Sequence, residues 1–222
     1  MKKNVSVVLL LVGLLIIAAL LMFLARGKGY TLTVFDPAIG SADAPILLEE
    51  FSDFECPACA AAAPVVKQVL AEYPNQIRFV YKDFPLSSIH LQAQKAAVGA
   101  LCAAQQGKFI EIHDDLFAQQ GVWASAQAAS GSDVTAFLGE LAVKHGLNVD
   151  DFNACIASRT ARSQVSKDFN EGQKRAVDST PSFFINGEKI ENPGSVFQWI
   201  KLIDEKLTTM GITPENRVTI EE

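Results

Sequence analysis

The stretch Glu50-Phe51-Ser52-Asp53-Phe54-Glu55-Cys56-Pro57-Ala58-Cys59 puts a Cys-x-x-Cys pair at the junction between an apolar strand, residues 46–54, and a helix, residues 57–73. Pro57 suits the first helical position. This makes Cys56 the N-cap and points its sulfur at unpaired backbone N–H groups and the positive end of the helix dipole. A thiolate is stabilised there, so Cys56 is the expected nucleophile, with a lowered pKa, and Cys59 the resolving thiol one turn on. Half of many zinc sites have the same spacing. The strand before the pair and the helix after it favour redox chemistry over metal binding.

Working outward, residues 77–84 (Ile-Arg-Phe-Val-Tyr-Lys-Asp-Phe) read as a second strand, and Pro64 is expected to kink the intervening helix. Strand, helix and strand make a βαβ unit with parallel strands. The next strand signal is Ser182–Ile185, followed by the Asn186-Gly187 turn and Glu188–Ile190, a short hairpin. The 97 residues between Phe84 and Ser182 far exceed a crossover connection. They predict an inserted helical subdomain over residues 85–177. Its helices are expected over 91–106 and 108–119, after N-caps at Asp133 and Asp150, and over 159–177. A closing helix over 195–207 completes a core made of residues 46–84 and 178–207. Residues 30–45 read as a stalk, and residues 208–222 as a tail without functional signal.

Residues 5–25 are uncharged and almost wholly aliphatic, and at ~1.5 Å per residue they extend about 31 Å, the thickness of a hydrocarbon core. Residues 1–29 are therefore expected to be a membrane anchor engaging the lipid bilayer, with a cleaved signal peptide as the alternative. Lys2 and Lys3 favour a cytoplasmic N-terminus and a domain outside the cytoplasm. Residues 1–28 hold four Lys or Arg and no acid, which leaves 15 basic against 25 acidic residues in the remainder. That acidic balance, without basic runs, excludes nucleic acid as a partner. With an even cysteine count and an exported location, Cys102 and Cys155 are expected to bridge; two buried free thiols are the alternative.

The segments Phe51-Ser52-Asp53-Phe54-Glu55-Cys56-Pro57-Ala58-Cys59, Lys82-Asp83-Phe84-Pro85-Leu86, Gln106-Gly107-Lys108-Phe109 with His113-Asp114, and Thr180-Pro181-Ser182-Phe183-Phe184-Ile185-Asn186-Gly187 occur in this order. In combination they resemble the DsbA-like thiol-disulfide oxidoreductases of the thioredoxin superfamily, over residues 34–205. The resemblance implies an α/β thioredoxin-like fold with a helical insertion, behind the N-terminal transmembrane helix. It also implies a cis Thr180-Pro181 bond facing the disulfide, with Thr180 and Pro181 presenting backbone to an extended substrate peptide. Glu50 is implied as a buried proton relay for Cys59, and Lys82, on the adjacent strand, is expected as its charge partner. Phe54 is expected on an apolar peptide-binding surface.

The activity so implied is a membrane-tethered, monomeric dithiol oxidase acting on unfolded or reduced exported proteins, reoxidised by a quinone-linked membrane partner and needing no cofactor. Ala58 gives the Cys56 thiolate no side-chain donor, so a reductase or isomerase stays open. A holdase working without turnover and a four-cysteine zinc site are the readings from other classes. His90, His113 and His145 are expected as packed or surface residues, and Trp123, Trp199 and most phenylalanines as core.

Overall fold

A computed structural model describes residues 37–124 and 134–215. The expected span over residues 5–25 lies outside them. Among the described residues no helix is long and apolar enough to cross a membrane.

Five strands form one sheet in the order β1-β3-β2-β4-β5: β1 Ala38–Ile39, β2 Ile46–Ser52, β3 Ile77–Asp83, β4 Ser182–Ile185 and β5 Glu188–Ile190. β2 is central, parallel to β3 and antiparallel to β4. Side chains alternate across it, so Ile46, Leu48, Glu50 and Ser52 face one side and Leu47, Glu49 and Phe51 the other. Helix α1 (Pro57–Glu72) buries Cys59, Ala62, Val66 and Val69, one stripe at helical spacing. Pro64 lies inside this helix, whose assignment runs unbroken through it. Helix α8 (Val196–Thr209) starts at Ser195, whose Oγ accepts from Gln198 N at 3.3 Å, and buries Trp199, Ile200, Ile203 and Leu207. The Tyr73 hydroxyl donates to Asp204 at 2.6 Å and ties the end of α1 to α8.

The insertion contains α2 (Ala93–Ala104), α3 (Phe109–Ala118), the short α4 (Gln120–Trp123), α5 (Val134–Lys144), α6 (Val149–Ala157) and α7 (Arg159–Lys174). α2 is buried on nearly every side, and its alanines let α3, α5, α6 and α7 approach it. The Cys102–Cys155 disulfide, with a sequence separation of 53, joins α2 to α6. α7 lies on the opposite sheet face from α1. Gly172 permits this, because a Cβ there would come within 2.6 Å of the Phe84 ring. Beside it the Arg175 guanidinium binds both Glu49 oxygens at 2.8 Å and sits 3.9 Å over the Phe184 ring.

Three boundaries differ from the sequence reading. The domain begins inside the expected stalk, since Ala38 and Ile39 pair with Val80 and Phe79 on the outer edge of β3; two residues are too few to show a period. Asn148 rather than Asp150 caps α6: its side chain accepts from Asp151 N at 3.1 Å, and Asp150 falls in the first turn. The expected tail is partly folded, with Thr213 O accepting from Gln76 Nε2 at 2.7 Å and Glu215 N donating to Gln76 Oε1 at 2.9 Å.

Replacing Cys102 and Cys155 by alanine should lower the unfolding free energy by up to about 4 kcal/mol, the loop-closure entropy restored to the unfolded chain. Urea denaturation of the variant checks this, and an unchanged midpoint would refute it.

Candidate active site

Cys56 is the N-cap of α1, with Pro57 at the first helical position and extended backbone at φ −77° and ψ 122°. Cys59, one turn on, is fully buried, whereas Cys56 is 8% exposed and Pro57 and Ala58 lie open to solvent. Both cysteines are thiols in the structure. Their environments push them in opposite directions. Hydrogen bonding from the Cys59 thiol, then from Thr180 and the Cys59 and Ala58 N–H groups, outweighs desolvation and lowers the Cys56 pKa to about 5. Burial first, then the hydrogen bond to Cys56 and the nearby Glu50 charge, holds the Cys59 thiol far above its ordinary range.

The Thr180-Pro181 peptide bond is cis. As a thiol, Cys56 donates to the Thr180 carbonyl, with Sγ 3.4 Å from the oxygen. Ionisation removes that donor. The buried Thr180 hydroxyl, without a hydrogen-bond partner among the described residues, is then the donor available from this side.

Glu50 lies behind Cys59, 1% exposed, and its Oε1 lacks a hydrogen-bond partner among the described residues. Burial raises its pKa to about 7, with a small opposing effect from Ser52. Ser52 similarly favours the charged forms of Cys59 and Tyr81. The carboxyl is therefore poised to hold or release a proton near neutrality, next to a thiol that cannot ionise unaided.

Two expected assignments fail on geometry. Lys82 is not the partner of Glu50: the parallel register sets it beside Phe51, on the opposite sheet face, and Tyr81 beside Glu50. Lys82 instead lies 3.4 Å from Asp168 and 3.5 Å from Glu171, both on α7. Phe54 offers no surface to a peptide, because the insertion covers it. It is 1% exposed, stacked on Tyr81 at 5.1 Å and packed against Phe117 at 5.0 Å.

The histidines divide. His113 is caged by Phe54, Tyr81, Phe109 and Phe117, and His145 pairs with Asp115 at 2.6 Å. His90 belongs to the site's surroundings, with Nδ1 2.7 Å from Asp53, three residues before Cys56. Sequence reasoning overlooked Asp53, Ser52, Tyr81 and Gln120. A signal was available only for Asp53, an acid three residues before the first cysteine at the end of the strand. A zinc site using all four cysteines is excluded by the Cys102–Cys155 bond, which consumes two of the ligands.

The proteins similar to this chain agree with its fold. Among curated relatives, the Na(+)/H(+) antiporter NhaA 3 of Salinispora tropica is 34% identical over 161 residues, which is 72% of this chain and 23% of the antiporter. NhaA 1 of Mycobacterium sp. strain KMS is 29% identical over 167 residues, 74% of this chain and 26% of the antiporter. The chain thus spans about a quarter of the length of these relatives. Among solved structures, α-DsbA1 of Wolbachia pipientis superposes with a TM-score of 0.70 at 22% identity, covering 81% of this chain and 94% of that one. BdbD of Bacillus subtilis gives 0.66 at 22%, covering 82% and 98%. MdbA, a thiol-disulfide oxidoreductase of Corynebacterium diphtheriae, gives 0.63 at 18%, covering 78% and 91%. A family model described as thioredoxin matches residues 33–205. On that match, spanning the strands, the cysteine pair and the insertion, the chain belongs to the thioredoxin family, and its fold is the DsbA-like one.

Proposed function

We propose that this protein is an extracytoplasmic thiol-disulfide oxidoreductase that donates its Cys56–Cys59 disulfide to exported proteins. The observation that carries the reading is the opposite poise of the two sulfurs: Cys56, at the helix N-cap beside the open Pro57 and Ala58, is stabilised as thiolate, and Cys59, fully buried, is held as thiol.

In the oxidised enzyme a substrate thiolate attacks Cys56 Sγ. The Cys56–Cys59 bond breaks as the mixed disulfide forms, and the departing Cys59 sulfur takes a proton from Glu50. A second substrate thiolate then attacks the substrate sulfur of the mixed disulfide and expels Cys56 as thiolate. Two electrons pass from the substrate dithiol to the enzyme. Because the reduced form is stabilised at Cys56, the disulfide is oxidising. The substrate peptide would lie along Thr180, beside the sulfur. Reoxidation is assigned to a quinone-linked membrane partner, and the apolar run at residues 5–25 to a bilayer anchor.

One feature favours a second reading. Ala58 contributes no side-chain donor to the thiolate, so the poise rests on backbone N–H groups, Cys59 and Thr180. An electron-fed reductase or isomerase of the same fold works with such a moderate oxidant.

Equilibrating the detergent-solubilised full chain with glutathione buffers decides between these readings. A potential nearer the ~−120 mV of a strong oxidant than the ~−270 mV of thioredoxin is expected, and a value at the thioredoxin end would overturn disulfide donation.

Glu50 supplies a further check. Its folded pKa of about 7 exceeds the ordinary 4.5, so the folded state binds this proton more tightly than the unfolded one. The stability gained from that proton is fully present at acid pH, falls as pH rises from 4.5, and is gone above about 7. Glu50→Gln should therefore match the wild type at acid pH and exceed its stability by about 3 kcal/mol at alkaline pH, measured by urea denaturation of the reduced protein. The same variant should slow release of Cys59 from the active-site disulfide in stopped-flow reduction. A parallel pH profile for the two proteins would contradict the assignment.

A further inference from the structure

The segment between β2 and α1, residues 53–56, carries the reactive sulfur, yet four of its polar atoms are bonded from outside the thioredoxin-like core, Asp53 Oδ2, Phe54 O, Glu55 Oε2 and Cys56 O. Within the segment, Cys56 N donates to Asp53 O at 3.0 Å and Glu55 N to Asp53 Oδ1 at 2.8 Å. The core adds Cys59 N and Ala60 N to Cys56 O and the Cys56 Sγ contact with Thr180 O, and the helical insertion supplies the contacts that follow. Asp53 Oδ2, fully buried, accepts from Leu86 N at 2.8 Å and pairs with His90 Nδ1 at 2.7 Å. Gln120 Nε2 donates to Phe54 O at 2.8 Å and to Cys56 O at 3.0 Å. Glu55 returns a bond, its Oε2 accepting from Gln92 N at 2.7 Å at the start of α2. The segment is gripped on two sides, by the loop before α2 and by α4.

Building on the dithiol chemistry proposed above, we infer that His90 and Gln120 are positioning residues, which brace residues 53–56 so that the Cys56 sulfur stays in register with Thr180 across the gap. The physical case rests on which donors move together. The Ala58 and Cys59 N–H groups belong to α1 and travel with Cys56 if the segment shifts. Thr180 sits at the entry to β4 and does not. Any slackening of the brace therefore acts first on the Cys56–Thr180 contact, already at 3.4 Å between sulfur and carbonyl oxygen. An ionised Asp53 can only accept, so the His90 proton belongs on Nδ1, and the partly exposed ring closes the carboxylate off.

Both side chains can be removed without orphaning a buried charge. Without His90, Asp53 keeps the Glu55 and Leu86 N–H donors. Without Gln120, Cys56 O keeps Cys59 N and Ala60 N, each at 3.1 Å. Loss of either should therefore leave the protein folded and alter the sulfur.

The test measures Cys56 ionisation by thiolate ultraviolet absorption, and the glutathione equilibrium constant, in His90→Ala, His90→Asn, Gln120→Ala and Gln120→Met, each alone and combined with Thr180→Val. The His90→Ala and Gln120→Met variants should each reduce the ionisation constant about three- to tenfold, one hydrogen bond's worth. His90→Asn, which keeps a donor near the Nδ1 position, should recover most of the loss. Combined with Thr180→Val, the reductions should be smaller than the product of the separate effects, because the brace acts through that residue. Wild-type ionisation in the alanine and methionine variants, an asparagine variant as impaired as alanine, or strictly multiplicative combinations would each overturn the inference. Should Gln120→Ala fold poorly, Gln120→Met preserves the side-chain length and keeps the test decisive. Failure of the underlying dithiol reading shows separately, as an unperturbed Cys56 in the wild-type protein before any variant is made.

Discussion

Alternation along a central strand fixes the chemistry of this protein more than any other constraint. Glu49 and Glu50 are consecutive on β2, both almost wholly buried, and the pleat sends them to opposite faces. On one face Glu49 meets a guanidinium in bidentate geometry, and that pair helps to fasten α7 to the sheet. On the other face Glu50 Oε1 has no hydrogen-bond partner among the described residues, and burial raises its carboxyl pKa to about 7 behind Cys59. Two identical side chains thus become a structural anchor and a proton-holding group through their faces alone.

The insertion completes what the strand begins. A four-ring cage of Phe54, Tyr81, Phe109 and Phe117 around His113 joins the active-site segment to α3, so a residue expected at the surface becomes interior. This covering removes Phe54 from any peptide surface and leaves Pro57 and Ala58 as the open residues beside Cys56. The insertion therefore narrows the reactive surface as well as supporting it.

Much of this was legible in the sequence because it depends on local patterns. The β2 to α1 junction, the parallel β3 strand, the Asn186-Gly187 hairpin and the presence of a helical insertion follow from periodicity, a helix-starting proline and turn chemistry. The elements lost to the reading depend on register or on long-range partners. Lys82 was assigned to Glu50 because both are charged and on adjacent strands; a one-residue difference in register is invisible in a sequence but reverses the face. Gln120 gave no signal because a glutamine between Gln119 and Gly121 carries no pattern, and its meaning arises only when α4, 64 residues on in the chain, packs against Cys56. The two-residue β1 strand and the folded start of the tail were missed for the same reason, being held by bonds to β3 and Gln76.

The cysteines also occur in an order with a consequence for the protein's own maturation. Cys56 and Cys59 are synthesised before Cys102, and the bridging partner Cys155 comes 53 residues after Cys102. On the export proposed above, Cys102 would meet two earlier thiols before its partner emerges. Chain proximity would then favour the shorter loops to Cys56 or Cys59 over the native one. Burial of Cys59 on α1 and of Cys102 on α2 separates the two pairs once each helix has docked. On the proposed function, the chain itself poses the sorting problem that disulfide exchange addresses in other proteins.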